Sequence, residues 1–175
     1  MLLMLEKSIR FVFATVGSFL LGICPAFAQE ETDNLLERLV GTWAAEGHLL
    51  GAEVSYNVEA EFVLEGSFLL LSLTDAADPP QYDSMIFIGR SASHGDYIAH
   101  WLDTTGADGA RVVGFGEGEV DRLTLTFHYE GGDFRDVFDF QDDGTIQFAV
   151  DQASDVGEWV EFARYVFFPA VNGRK

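Results

Sequence analysis

Cysteine and lysine are nearly missing from this chain. Its one cysteine, Cys24, and one of its two lysines, Lys7, fall within the first 28 residues, and Lys175 is the last residue. Basic side chains are scarce altogether, with 10 Lys and Arg against 29 Asp and Glu, a formal net charge of −19. Each scarcity excludes a chemistry. Beyond residue 28 there is no thiol for a disulfide, a nucleophile or a Cys-based metal site. Lysine at the terminus alone argues against Schiff-base chemistry and lysine-held phosphate. So negative a chain lacks the clustered cations that nucleic acid or an anionic membrane surface requires. Enzyme motifs are absent too: no Gly-x-Ser-x-Gly elbow, Ser-x-x-Lys, His-Glu-x-x-His, phosphate loop or dinucleotide fingerprint. Gly114-Phe115-Gly116-Glu117-Gly118 falls between strands and reads as a bulge or turn, and the run from Asp139 to Gly144 lacks calcium-loop spacing.

What is present is apolar. Hydrophobic residues make up 48% of the chain and aromatic residues 14%, enough to build a core despite the charge. The length suits one domain. Residues 1–28 read as a cleavable leader: Lys7 and Arg10, then the uncharged stretch 11–24, then Ala26-Phe27-Ala28 as a cleavage signal. Fourteen apolar residues are short for a bilayer span. Acylation of Cys24 is the alternative, with bulky Ile23 before it where such sites take a small residue. Cleavage after Ala28 removes Glu6, Lys7 and Arg10 and leaves 147 residues, 29–175, with 8 basic and 28 acidic side chains, a net charge of −20. The expected location is the bacterial periplasm or the exterior, with no membrane insertion after cleavage.

Residues 31–39 predict a short helix, capped by Thr32 or Asp33, with Leu35, Leu36 and Leu39 on one face. Ten strands are expected after it, at about 41–50, 52–65, 67–74, 82–90, 96–103, 110–118, 121–130, 133–141, 144–151 and 158–168. Alternation is clearest where Val54, Tyr56, Val58, Ala60, Phe62 and Leu64 oppose Glu53, Ser55, Asn57, Glu59 and Glu61. Period two with one polar face means antiparallel sheet. Glu65-Gly66 and Asp142-Asp143-Gly144 suit hairpins. Sequential strands without crossover helices predict an all-β, single antiparallel up-and-down barrel of about ten strands, closed so that no edge is exposed; a sandwich is the alternative. About eight strands give an interior that side chains just fill. Ten strands, several of them apolar on both faces (Phe68 to Leu71, Val160 to Phe168), predict a larger interior and a cavity. A homodimer face on the outside accounts for the doubly apolar strands equally well.

The short helix, then Leu39-Val40-Gly41-Thr42-Trp43, then a closed meander resembles the calycin-like barrels. These include lipocalins, fatty-acid-binding proteins, nitrobindin-like haem barrels and a bacterial group of unknown function, which is the most similar. The resemblance continues in residues 62–69, Ile88-Gly89, Tyr97 to Asp103, Phe134-Arg135-Asp136, and Ser154 to Trp159 followed by Phe162 and Tyr165. It implies a ligand-holding barrel. Nitrobindin-like barrels hold haem through a histidine near the last strand, but residues 129–175 contain none, so no haem or other cofactor is expected.

Candidate cavity residues are Trp43, His100, Trp101, Asp103, Arg135, Phe138, Trp159 and Tyr165. On the strand at 96–103, His100 lies between Ile98 and Leu102 on one face while Trp101 and Asp103 share the other, and alternation does not say which faces inward. Arg135 reads as a structural ion pair with Asp103, Asp136 or Asp139, or as a bidentate holder of an anionic head group. Arg164 carries the same ambiguity. Glu46/His48 and His128/Glu130 are i,i+2 pairs that could ligate zinc on adjacent strands, but both lie in the polar phase and read as solvated surface, so no metal is expected. His94 reads as a turn residue. Three functions remain: a barrel binding a small apolar or amphipathic molecule, a cavity isomerase or hydrolase using Asp103, His100 and Arg135, and a filled structural barrel. No catalytic motif supports the second.

Overall fold

Alternating apolar and polar residues give each segment one face to bury, and ten such segments in succession close on themselves. The structure, a computed structural model, describes residues 35–170; the leader expected at 1–28 and residues 31–34 of the expected helix lie outside the described residues. A helix α1 (Leu35–Leu39) precedes β1 (Gly41–Leu49), β2 (Ala52–Val63), β3 (Phe68–Asp75), β4 (Asp83–Arg90), β5 (Tyr97–Asp103), β6 (Val113–Glu119), β7 (Arg122–Tyr129), β8 (Gly132–Phe140), β9 (Ile146–Ala153) and β10 (Trp159–Pro169). Each strand pairs antiparallel with the next, and β1 pairs with β10 from Trp43 opposite Pro169 to Leu49 opposite Ala163. The result is a closed all-β barrel of ten strands in up-and-down order. The strands lie close to where the sequence predicts them, but Gly114 to Gly118, read as a bulge or turn between strands, are part of β6 and pair with β5 and β7. β6 differs most, starting late because Gly109–Arg111 form a 3-10 turn before it.

The inward phase of the strands supplies the core. Leu69 and Leu71 of β3, Ile86 and Ile88 of β4, Leu123 and Leu125 of β7, and Phe138, Phe148 and Phe167 of β8 to β10 are fully buried. Phe138 and Phe148 stack with ring centroids 4.2 Å apart and planes 6° from parallel, and Phe167 meets Phe148 edge-on at 5.7 Å. Such pairs add to the burial of their area.

One end of the barrel is covered by α1, whose Leu35, Leu36 and Leu39 are buried. Arg38 anchors it, donating to the Val120 carbonyl at 3.1 Å and to Asp121 at 2.7 Å, with its guanidinium 4.5 Å above the Phe140 ring. Trp43, partly buried, donates from Nε1 to the Leu39 carbonyl at 2.9 Å. Gly118 makes room for the helix: a Cβ there would stand 2.7 Å from Leu35 and 2.8 Å from Tyr97.

The outer surface is uneven. β2 turns Glu53, Glu59 and Glu61 to solvent, whereas the outer faces of β3 to β6 carry Leu70, Met85, Phe87, Ile98, Val113 and Phe115. That apolar outer face is why β3 and β5 look hydrophobic in both phases. For the core, Phe148→Ala should cost about 3–5 kcal/mol, read as a lower urea midpoint at unchanged m. A loss under about 1 kcal/mol would show that the aromatic stack does not hold the barrel.

Candidate functional site

Past the Phe138–Phe148 stack, toward the end away from α1, side chains stop filling the barrel and a cavity of about 430 Å³ remains. The inward positions change character there. Leucine and isoleucine give way to Tyr56 on β2, Tyr82 just before β4, Trp101 on β5, Phe127 and Tyr129 on β7, Phe134 on β8 and Tyr165 on β10. The β10–β9 register slips between Glu161 and Ala163, and both Phe162 and Ala163 line the space, as a bulge allows. Thr105 and Gly109 of the β5–β6 connection complete the wall.

The polar groups of the wall form two sets. In the first, Trp101 Nε1 donates to the Tyr82 hydroxyl at 3.3 Å, and that hydroxyl donates to Asp103 Oδ2 at 3.2 Å. Asp103 Oδ1 accepts from the Thr105 backbone N–H at 2.8 Å and from the Thr105 hydroxyl. Tyr56 stands edge-on between Tyr82 and Tyr165, at 5.9 and 5.6 Å. Burial raises the pKa of both the Tyr82 and the Tyr165 hydroxyls, so these are protonated donors.

The second set is Asp136 alone. It sits mid-strand on β8, flanked by Leu125 of β7 and Val150 of β9, with 2% of its surface exposed, and its Oδ2 has no hydrogen-bond partner. Burial first, and then the nearby Asp151 charge, raise its pKa well above the ordinary aspartate value. Tyr129 of β7 and Tyr165 of β10 feel its charge, and Tyr129 also feels that of Asp103. Asp151 lies in the outward phase of β9, where Arg135 holds it at 2.6 Å.

Of the residues expected in the cavity, Trp101, Asp103 and Tyr165 line it. The others lie elsewhere. His100 is in the outward phase of β5, with Nε2 2.7 Å from the Ala110 carbonyl. Arg135 also faces out, paired with Asp151 and 4.5 Å from the ring of Trp159, so it offers no cation to a ligand inside. The pairings expected with Asp103, Asp136 or Asp139 do not form; β9 supplies the partner by register. Phe138 points inward but belongs to the packed half, and Trp43 sits at the helix end. Asp103, His100 and Arg135 therefore do not converge. His48 pairs with Glu161 and His128 with Asp133, on strands β1 and β7 that are not neighbours. Arg164 pairs with Glu161, and His94 lies in a turn with Ser91 and Ser93. No cluster of three or more His, Cys, Asp or Glu suited to a metal occurs among the described residues.

Asp136 is not among the cavity residues that the sequence points to, although its signal is in the strand: it shares the phase of Phe134, Phe138 and Phe140. Its pKa carries a pH dependence. An acid whose folded pKa is raised favours the fold while protonated, and that contribution is lost as pH climbs from the unfolded value, about 4, through the folded one. Wild-type stability should therefore fall over that window, and Asp136→Asn should flatten the fall, being the more stable chain at pH 7. Urea midpoints across pH test this; parallel curves for the two proteins would contradict it.

No curated protein matches the chain in sequence. Among solved structures, that of the S-type phycobiliprotein lyase CPES from Guillardia theta is similar, with a TM-score of 0.53 and 13% identity over 81% of this chain and 93% of that one. At that identity the likeness is one of fold. The family described as "Protein of unknown function (DUF1579)" matches residues 29–168, which take in every strand but for the last residue of β10. The chain belongs to that family.

Proposed function

We propose that this protein binds one small apolar or amphipathic molecule in the aromatic cavity at the end of the barrel away from α1. The observation that carries the reading is the unfilled space of about 430 Å³, walled by aromatic rings and a few polar groups. Ligand sites have that character: concave, mostly apolar, with a small number of placed polar atoms. The solved structure of similar fold is that of a phycobiliprotein lyase, which supports this architecture serving a function beyond a filled structural barrel. A filled structural barrel would leave no such space. An isomerase or hydrolase built on Asp103, His100 and Arg135 is not favoured, because the latter two face outward. The reading includes export after cleavage at Ala28, and mature protein from its own cells should begin at Gln29 by N-terminal sequencing; an intact Met1 would contradict export by that route.

The binding test uses N-phenyl-naphthylamine, a neutral fluorescent probe. It should bind saturably at one site per chain. Trp101→Ala should weaken it about tenfold, or 1.4 kcal/mol, by removing one wall of the site. Ala163→Phe, which places a ring in the cavity, should abolish binding while the chain still unfolds cooperatively. Absence of saturable binding to the wild type, or full binding to the Ala163→Phe protein, would overturn the proposal.

A further inference from the structure

The only carboxyl, amine, guanidinium or imidazole side chains in the cavity wall are carboxyls. Among its lining residues Asp103 and Asp136 are ionisable acids, and no Lys, Arg or His joins them. The two acids are not equivalent. Asp103 has its oxygens engaged by Tyr82 and Thr105, whereas Asp136, almost wholly buried, has Oδ2 without any partner. A buried acceptor with no donor destabilises the fold, and a sequence free to change would place a leucine between Leu125 and Val150. The unmet group therefore points to something absent from the chain itself.

Resting on the cavity-binding reading, we infer that the polar end of the ligand is an organic cation, a protonated amine, which donates a hydrogen bond to Asp136 Oδ2 within a cage of aromatic faces. Three observations converge on that charge. An anion would enter a low-dielectric space already holding two carboxyl groups, with no Lys, Arg or His among the lining residues and Arg135 turned outward onto Asp151. The faces of Trp101, Tyr56, Tyr82, Tyr129 and Tyr165 carry the negative quadrupole that attracts ammonium groups. The net charge of −19 draws cations toward the molecule and repels anions from it. A neutral hydroxyl could satisfy Oδ2 geometrically, but it would gain nothing from the second and third of these features.

The test is calorimetric titration of the mature chain at pH 7 with octylammonium, octan-1-ol and octanoate, which share a tail and differ in head group. Octylammonium should bind about tenfold more tightly than octan-1-ol, and octanoate more weakly than either. Asp136→Asn, close to isosteric, should bring octylammonium to within about threefold of octan-1-ol. Equal binding of all three, or preference for octanoate, overturns the inference and leaves the cavity reading standing. A cation preference that survives Asp136→Asn overturns the assignment to Asp136. If none of the three binds, the inference fails, and the cavity reading fails with it only when N-phenyl-naphthylamine is not bound either.

Discussion

Pairing of β1 with β10 is the contact on which everything else depends. It turns a meander with two raw edges into a closed wall, and closure at ten strands fixes an interior wider than the side chains of an eight-stranded barrel would fill. The sequence meets that width differently at the two ends. Near α1 it inserts large rings, with Phe138, Phe148 and Phe167 interlocked and Leu35, Leu36 and Leu39 laid across the opening. At the other end tyrosines and a tryptophan, some of them tied together through their polar atoms, join Phe127, Phe134 and Phe162 around open space. The cavity is what the second arrangement leaves.

Asp136 marks the boundary where packing ceases to be the governing demand. Stability alone would be served by an apolar side chain at that position, since its neighbours across both strand pairings are apolar and buried. Local rules broken in this manner tend to sit at functional positions, where the fold elsewhere supplies the compensating stability. Here the compensation lies in the stacked phenylalanines a few residues away on the same strands. Arg135 and Asp151 show the opposite treatment of charge: adjacent in sequence or register to Asp136, they face outward and neutralise each other against Trp159.

Much of the barrel was legible because period-two alternation survives in β2 and β7, where one face is solvated, and because Gly, Asp and Asn punctuate the hairpins. The site was legible in part. On β5, Ile98 and Leu102 face outward on an apolar outer surface, so both phases look buried and alternation could not say that Trp101 and Asp103 point in. On β8, Arg135 stands out in the sequence as a mid-strand cation, yet the inward phase belongs to its neighbour. Its true partner follows from the β8–β9 register, a long-range pairing that composition does not encode. Tyr56, Tyr82 and Tyr129 could be placed on strands but not gathered around one space without the order in which the barrel closes.

On this reading the barrel keeps a carboxyl in reserve for a cation. Carbon-13 NMR of the Asp136 side-chain carboxyl measures this most directly, recorded at about pH 5, a unit above the ordinary aspartate range, as octylammonium is added. The signal should begin at the position of a protonated acid and move saturably to that of a carboxylate as the site fills. A carboxyl that is already ionised in the empty protein, or that stays protonated while octylammonium saturates the cavity, would contradict the account.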